Sequence, residues 1–167
     1  MGFTTLVDSR EKDPLDLVDG EYCIASEVVA LKTGDYTIKE LPEDFLYIER
    51  KNSVSELYAW MTRNRDRFDA QLNRVRNFKY KILVIECDIE DVFNIDGHWW
   101  IKFENKRQQY TIRRRAINII KSNIASLALR HGLSVFFVGK NRDRSKELIL
   151  ALMDKAWKIY QESLPKE

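Results

Sequence analysis

The stretch GDYTIKELPEDFLYIERK, residues 34–51, decides how this chain is read. Thr33-Gly34 is a turn-forming pair from which Gly34 to Ile38 starts a strand, and Phe45 to Arg50 reads as the next strand beyond a turn containing Pro42. Thirteen residues lie between Asp35 and Glu49, enough for one strand, a turn and the approach of its neighbour. A hairpin of that size can bring the two carboxylates together. Side chains alternate along a strand, so Glu49 and Lys51 share one face while Ile48 and Arg50 share the other. One face then offers two hard oxygen donors and an ammonium group.

Upstream, Thr4-Thr5-Leu6-Val7-Asp8 is β-branched and apolar and ends on an acid, which predicts a short strand presenting Asp8 at its end; Glu21 to Ala30 is a further strand. Downstream the period changes. Ser53 followed by Glu56 is a capping-box signature, and Leu57, Trp60 and Met61 then keep helical spacing. Phe68, Leu72 and Val75 continue it in an amphipathic helix with a cationic side. Lys81 to Cys87 is apolar without alternation, as expected of a central strand covered on both faces. Residues 88–110 read as irregular. A long helix is predicted over Ile112 to Arg130, stopping at His131-Gly132, where His131 places a cation at the helix end. Leu133 to Val138 predicts another fully buried strand, and Asp143 is the expected cap of a final helix running to Gln161. Strands alternating with helices predict an α/β fold, a central mixed sheet flanked by helices on both faces.

At 167 residues and 44% hydrophobic content the chain fits one domain, 1–167, with a sizeable core. Cys23 and Cys87 have no metal-type spacing and read as buried free thiols, which argues against a disulfide-stapled or zinc-ribbon protein. No basic segment followed by an apolar one opens the sequence, and no eighteen apolar residues run together. The expectation is a soluble, intracellular protein of cytoplasm, nucleoid or nucleus with no membrane partner. The net charge of +2 conceals a division: residues 1–49 carry four Lys/Arg against twelve Asp/Glu, whereas residues 50–81 carry nine against three. Residues 107–167 are basic again, thirteen against five. Acids that can hold a cation are followed by bases that can hold phosphates.

Phosphodiester hydrolysis calls for that set, because carboxylates hold Mg²⁺, the metal acidifies a water, and a lysine orients or deprotonates it. Asp8 is a candidate third carboxylate; beside it, Arg10 is suited to phosphate and Glu11 to acting as a ligand or an orienting acceptor. By spacing alone the same residues also describe a ladder of surface ion pairs. Arg63, Arg65, Arg67, Arg74 and Arg76 are candidates to track a DNA backbone, with a solvated helix face as the alternative. Arg113, Arg114 and Arg115 cover too much of a helix circumference for all to face one ligand. Trp99-Trp100 is suited to base stacking, to a dimer contact or to packing, and His98 has no second histidine or cysteine at ligand spacing. Glu86 ends a central strand near the edge where the acids should gather.

The wording around these residues is more specific than their spacing. LVDSREK at 6–12, LKTGDYTI at 31–38, YIERKNSVSEL at 47–57, RDRFDAQLNRVRNFKYKILVIECD at 65–88 and LSVFFVG at 133–139 occur in order. Together, over about residues 4–150, they resemble the nuclease domain of the XPF/Mus-type structure-specific endonuclease family, with its V-D-x-R-E, G-D and E-R-K segments. The resemblance implies a restriction-endonuclease-like fold and a metal-dependent DNA endonuclease, acting on branched, flap or fork DNA. It implies Mg²⁺ or Mn²⁺ held by Asp8, Asp35 and Glu49 with Glu11 as helper, and Lys51 serving the attacking water. Arg10 and Arg50 would contact phosphate or brace the site. It further implies DNA as partner and pairing through the nuclease domain as a homodimer. Two departures stand out: the family's acid four residues after the lysine falls on Ser55, with Glu56 one step later, and no tandem helix-hairpin-helix motif follows. The alternatives are a DNA-binding or partner-docking module that kept the fold without cleavage, and a restriction- or recombination-type nuclease outside that family.

Overall fold

The computed structural model describes residues 2–63, 65–94 and 106–165. A six-stranded mixed sheet forms its centre, built from β1 (Phe3–Asp8), β2 (Cys23–Val29), β3 (Tyr36–Ile38), β4 (Leu46–Lys51), β5 (Tyr80–Ile85) and β6 (Ser134–Phe137) in the order β2-β1-β3-β4-β5-β6. β3 runs antiparallel to both β1 and β4, while the β1–β2, β4–β5 and β5–β6 pairs are parallel. The end of β1, the start of β3 and the end of β4 therefore meet along one edge of the sheet. That edge carries Asp8, Asp35 and Glu49.

Helices cover both faces, as expected. On one face Ile48, Ile82 and Val84 pack against Ile149, Met153 and Ala156 of α5 (Arg142–Glu162). On the other, Tyr47, Leu83 and Ile85 meet residues of α1 (Val54–Thr62), α2 (Arg65–Arg74) and α4 (Lys106–His131). β5 is apolar at successive positions because each of its faces has its own helical cover. β4 is buried along its whole length although it reads Leu-Tyr-Ile-Glu-Arg-Lys. Three consecutive buried charges demand partners, since burying an unpaired charge costs several kcal/mol.

Local chemistry sets the boundaries. Ser53 caps α1, its hydroxyl accepting from Glu56 N, while the Glu56 carboxylate reaches back to Asn52 N at 2.7 Å. α5 is capped by Asn141, whose side chain accepts from Asp143 N, so the cap lies two residues before the expected Asp143. The long helix begins at Lys106 rather than Ile112, and a short α3 (Ile89–Phe93) occupies part of the segment expected to be irregular. Cys87 is buried but lies beyond the end of β5. β6 departs from the expectation of full burial: Ser134 is exposed and the other three residues only half-buried, because the strand lies at the sheet's edge. An apolar run does not tell an edge from a centre. Gly34 has φ +83, and a Cβ there would come within 2.9 Å of the Tyr47 ring and 3.1 Å of the Ile48 carbonyl. Only glycine fits this turn into Asp35. Among the described residues no helix is long and apolar enough to cross a membrane. His98, Trp99 and Trp100 lie outside the described residues.

Candidate active site

Asp8, Asp35 and Glu49 arrive from three adjacent strands and line one cavity of about 390 Å³. Their backbones are held in register by a ladder in which Asp8 N–H donates to the Asp35 carbonyl at 2.9 Å and Asp35 N–H donates to the Ile48 carbonyl at 2.8 Å. Arg50 N–H then donates to Asp35 Oδ2 at 2.7 Å. Asp8 is occupied on both oxygens: Oδ2 accepts from Arg10 Nε at 2.8 Å, and Oδ1 accepts from Arg10 Nη2 at 3.2 Å and from Leu31 N–H at 3.0 Å.

Glu49 stands at the centre of the buried polar groups. Its Oε1 accepts from Lys51 Nζ at 2.5 Å, and its Oε2 accepts from Tyr47 Oη at 3.0 Å and Gln71 Nε2 at 2.7 Å. The Lys51 ammonium also lies 5.2 Å from the Trp60 ring centre and 4.0 Å from Glu56 Oε1. Burial presses the Lys51 ammonium toward neutrality, but the carboxylates of Glu49 and Asp35 outweigh it and hold its pKa above the ordinary lysine value. Lys51 therefore carries its positive charge at neutral pH in the metal-free protein. Desolvation, followed by the charge of Glu49, pushes the Asp35 carboxyl up to about 8. Burial and then Glu49 raise the Tyr47 phenol well above its usual range, so it stays protonated and donates.

Among the described residues, no three His, Cys, Asp or Glu side chains are already closed into a ligand cluster. The donors nevertheless fit a hard divalent cation, because all are carboxylate oxygens and they share one cavity. Burial first, and the charge of Glu49 second, impose a penalty on the ionised form of Asp35 that the Lys51 ammonium does not cancel. An added cation at this position would relieve it.

Arg10, Lys32, Arg63, Arg67 and Arg74 line the same cavity. Arg67 and Arg74 stand a turn to either side of Gln71 on one face of α2, and Arg63 caps the end of α1. Arg65 turns away to Asp69 Oδ2 at 3.1 Å and Asn123 Oδ1 at 3.0 Å, and Arg76 does not line the cavity. Arg114 lies along a separate groove of α4 with Arg115; Arg113 lines neither. Glu11 is not on the cavity wall; its Oε1 accepts from Arg50 Nη1 at 3.3 Å. Arg50 is buried and held by Glu86, Glu11 and the Asp13 carbonyl, which leaves it bracing rather than reaching for a ligand. Sequence reasoning did not single out Gln71, Tyr47 or Lys32. Strand alternation would have put Tyr47 beside Glu49, and helical spacing would have put Gln71 on the face of Arg67 and Arg74.

Carboxylates at the ends of adjacent strands of a mixed sheet, one followed two residues on by a lysine of the same face, define a restriction-endonuclease-like domain. Within that class the chain belongs to the ERCC4 domain family, whose model matches residues 7–152. It is similar to the solved structure of XPF from Aeropyrum pernix, with a TM-score of 0.57 at 17% identity, covering 96% of this chain and 73% of that one. It is likewise similar to XPF from Aeropyrum pernix in complex with DNA, with a TM-score of 0.56 at 15% identity over 99% of this chain and 68% of that one. At these identities the likeness is one of fold. No curated protein matches the chain.

Proposed function

We propose that the chain is a divalent-metal-dependent DNA endonuclease that hydrolyses phosphodiester bonds. The observation that carries this reading is the convergence of Asp8, Asp35 and Glu49 on one cavity rimmed by Arg10, Lys32, Arg63, Arg67 and Arg74. Asp8, Asp35 and Glu49 would hold Mg²⁺ or Mn²⁺, which when bound supplies Lewis acidity toward phosphoryl oxygen and lowers the pKa of water. The remaining work falls to this chain's own groups. The cationic rim draws a phosphodiester into the cavity and compensates its charge. Lys51, kept protonated, fixes Glu49 Oε1 and places a permanent positive charge beneath the reacting centre. Trp60 and Phe68 form an apolar wall, and the lower local dielectric strengthens each of these interactions. DNA as the substrate agrees with the family and with the DNA complex formed by the Aeropyrum pernix relative.

Incubating end-labelled duplex, flap, fork and four-way DNA with Mg²⁺, Mn²⁺ or EDTA tests the proposal. Metal-dependent cuts are expected, stronger on branched DNA. A second reading, a module that holds DNA without cutting it, has one observation in its favour: both oxygens of Asp8 are already taken by Arg10 and the Leu31 N–H. That module would retain the DNAs in the same assay and leave them intact with either metal.

A further inference from the structure

Gln71 joins two helices to Glu49. Its Nε2 donates to Glu49 Oε2 at 2.7 Å and to Tyr47 Oη at 2.9 Å, and its Oε1 accepts from Trp60 Nε1 at 2.9 Å. Tyr47 Oη in turn donates to the same Glu49 oxygen. The indole N–H can only donate, so the Gln71 carbonyl must face Trp60 and the amide N–H₂ must face Glu49. The amide cannot flip without losing three hydrogen bonds. The amide N–H₂ serves both acceptors, the phenol both donates and accepts, and the ring of three groups closes on Oε2 alone. Lys51 holds the other oxygen, Oε1. The carboxylate plane of Glu49 is thereby fixed from two sides.

We infer that Gln71 is a positioning residue for Glu49, oriented by the Trp60 N–H, and that α2 thereby serves phosphate contact and carboxylate geometry together. Arg67 and Arg74 stand a turn before and after Gln71 and line the same cavity, so charge drawn to them acts on the helix that holds Glu49. The inference rests on the nuclease reading of this cavity. Residues that orient a metal-ligating carboxylate act through it: their loss lowers activity or metal affinity by roughly 10–100-fold without removing a ligand.

The test pairs Gln71→Met, which keeps length and packing but removes the amide, with Trp60→Phe. The latter keeps a ring against Lys51 and Phe68 while deleting only the N–H. Cleavage kinetics and calorimetric titration of the DNA-free protein with Mn²⁺ are the two measurements. Gln71→Met should lower kcat roughly 10–100-fold with KM for DNA unchanged and weaken Mn²⁺ binding, and Trp60→Phe should move both in the same direction by less. Wild-type kcat and Mn²⁺ affinity in Gln71→Met, whatever its Tm, would overturn the inference alone. A wild-type protein that neither binds Mn²⁺ nor cuts would overturn the nuclease reading and the inference with it.

Discussion

The Arg50 guanidinium meets the Glu86 carboxylate in two parallel hydrogen bonds, Nε to Oε1 at 2.8 Å and Nη2 to Oε2 at 3.0 Å, on the sheet face opposite Glu49 and Lys51. Successive residues of β4 thus serve different tasks. Arg50 Nη1 also donates to the Asp13 carbonyl at 2.9 Å, and Asp13 pairs with Arg142 at the start of α5. Removing one partner of a buried ion pair leaves the other uncompensated, at a cost of roughly 3–5 kcal/mol. Arg50→Ala should therefore lower the urea midpoint and Tm sharply, with any loss of cleavage following the loss of fold. A variant with wild-type Tm and no cleavage would instead place Arg50 on the substrate.

Asp35 makes the metal-free protein lose stability as the pH rises from about 4 to about 8. Its carboxyl titrates at about 8 in the fold against an ordinary 3.8, so between those values the folded state keeps a proton that the unfolded chain has lost. Stability from this group is full below about pH 4 and falls as pH rises to about 8, by at most about 1.4 kcal/mol per pH unit. Asp35→Asn should be more stable than wild type above about pH 8 and no more stable near pH 4. Millimolar Mg²⁺ should narrow the gap by raising the wild-type Tm alone. A Tm difference that does not change with pH would contradict this.

The sequence made the acid-bearing edge legible because strand alternation is rigid: once Glu49 was placed on a strand, Lys51 had to share its face. Helix phase was less legible. Arg63, Arg67 and Arg74 line the cavity while Arg65 and Arg76 do not, and the break between α1 and α2 that sets this leaves no mark on the spacing of the arginines. Asn141 and Asp143 are both good capping residues two apart, so the true cap of α5 depended on backbone geometry. Gln71 left no mark in the sequence because its partners, Trp60 on α1 and Tyr47 and Glu49 on β4, come from two other places in the chain. Glu56, one step beyond the family's usual acid, is used as a helix cap and approaches Lys51 to 4.0 Å without joining the cavity wall.

In the proposed mechanism Lys51 acts through a charge it keeps. Lys51→Ala should lower kcat by roughly a hundredfold, and Lys51→Arg should not rescue it, since a bulkier planar guanidinium does not reproduce the compact ammonium that meets Glu49 Oε1 beside the Trp60 ring. The wild-type pH–rate profile should show no rising limb from lysine deprotonation. A rate that climbs with the lysine's titration would make Lys51 a general base.

The cationic rim predicts how DNA is held. Changing Arg63, Arg67 and Arg74 to Ala should weaken binding to all sequences alike and reduce the log-log salt slope by up to roughly two to three units, at about 0.9 per phosphate contact. The pair Arg65→Ala and Arg76→Ala should leave the slope unchanged. The opposite pattern would move the contact surface toward Asn123 and the groove of Arg114 and Arg115.

Single-turnover cleavage of a branched DNA in Mg²⁺, by wild type and by purified, folded Asp35→Ala and Glu49→Ala, bears most directly on the proposal that this cavity cuts phosphodiester bonds. Each substitution removes one carboxylate donor from the cavity and a negative charge from beside the phosphate. The wild type should cut, and both variants should bind the DNA at least as tightly and leave it whole. Wild-type rates from either variant would contradict the account.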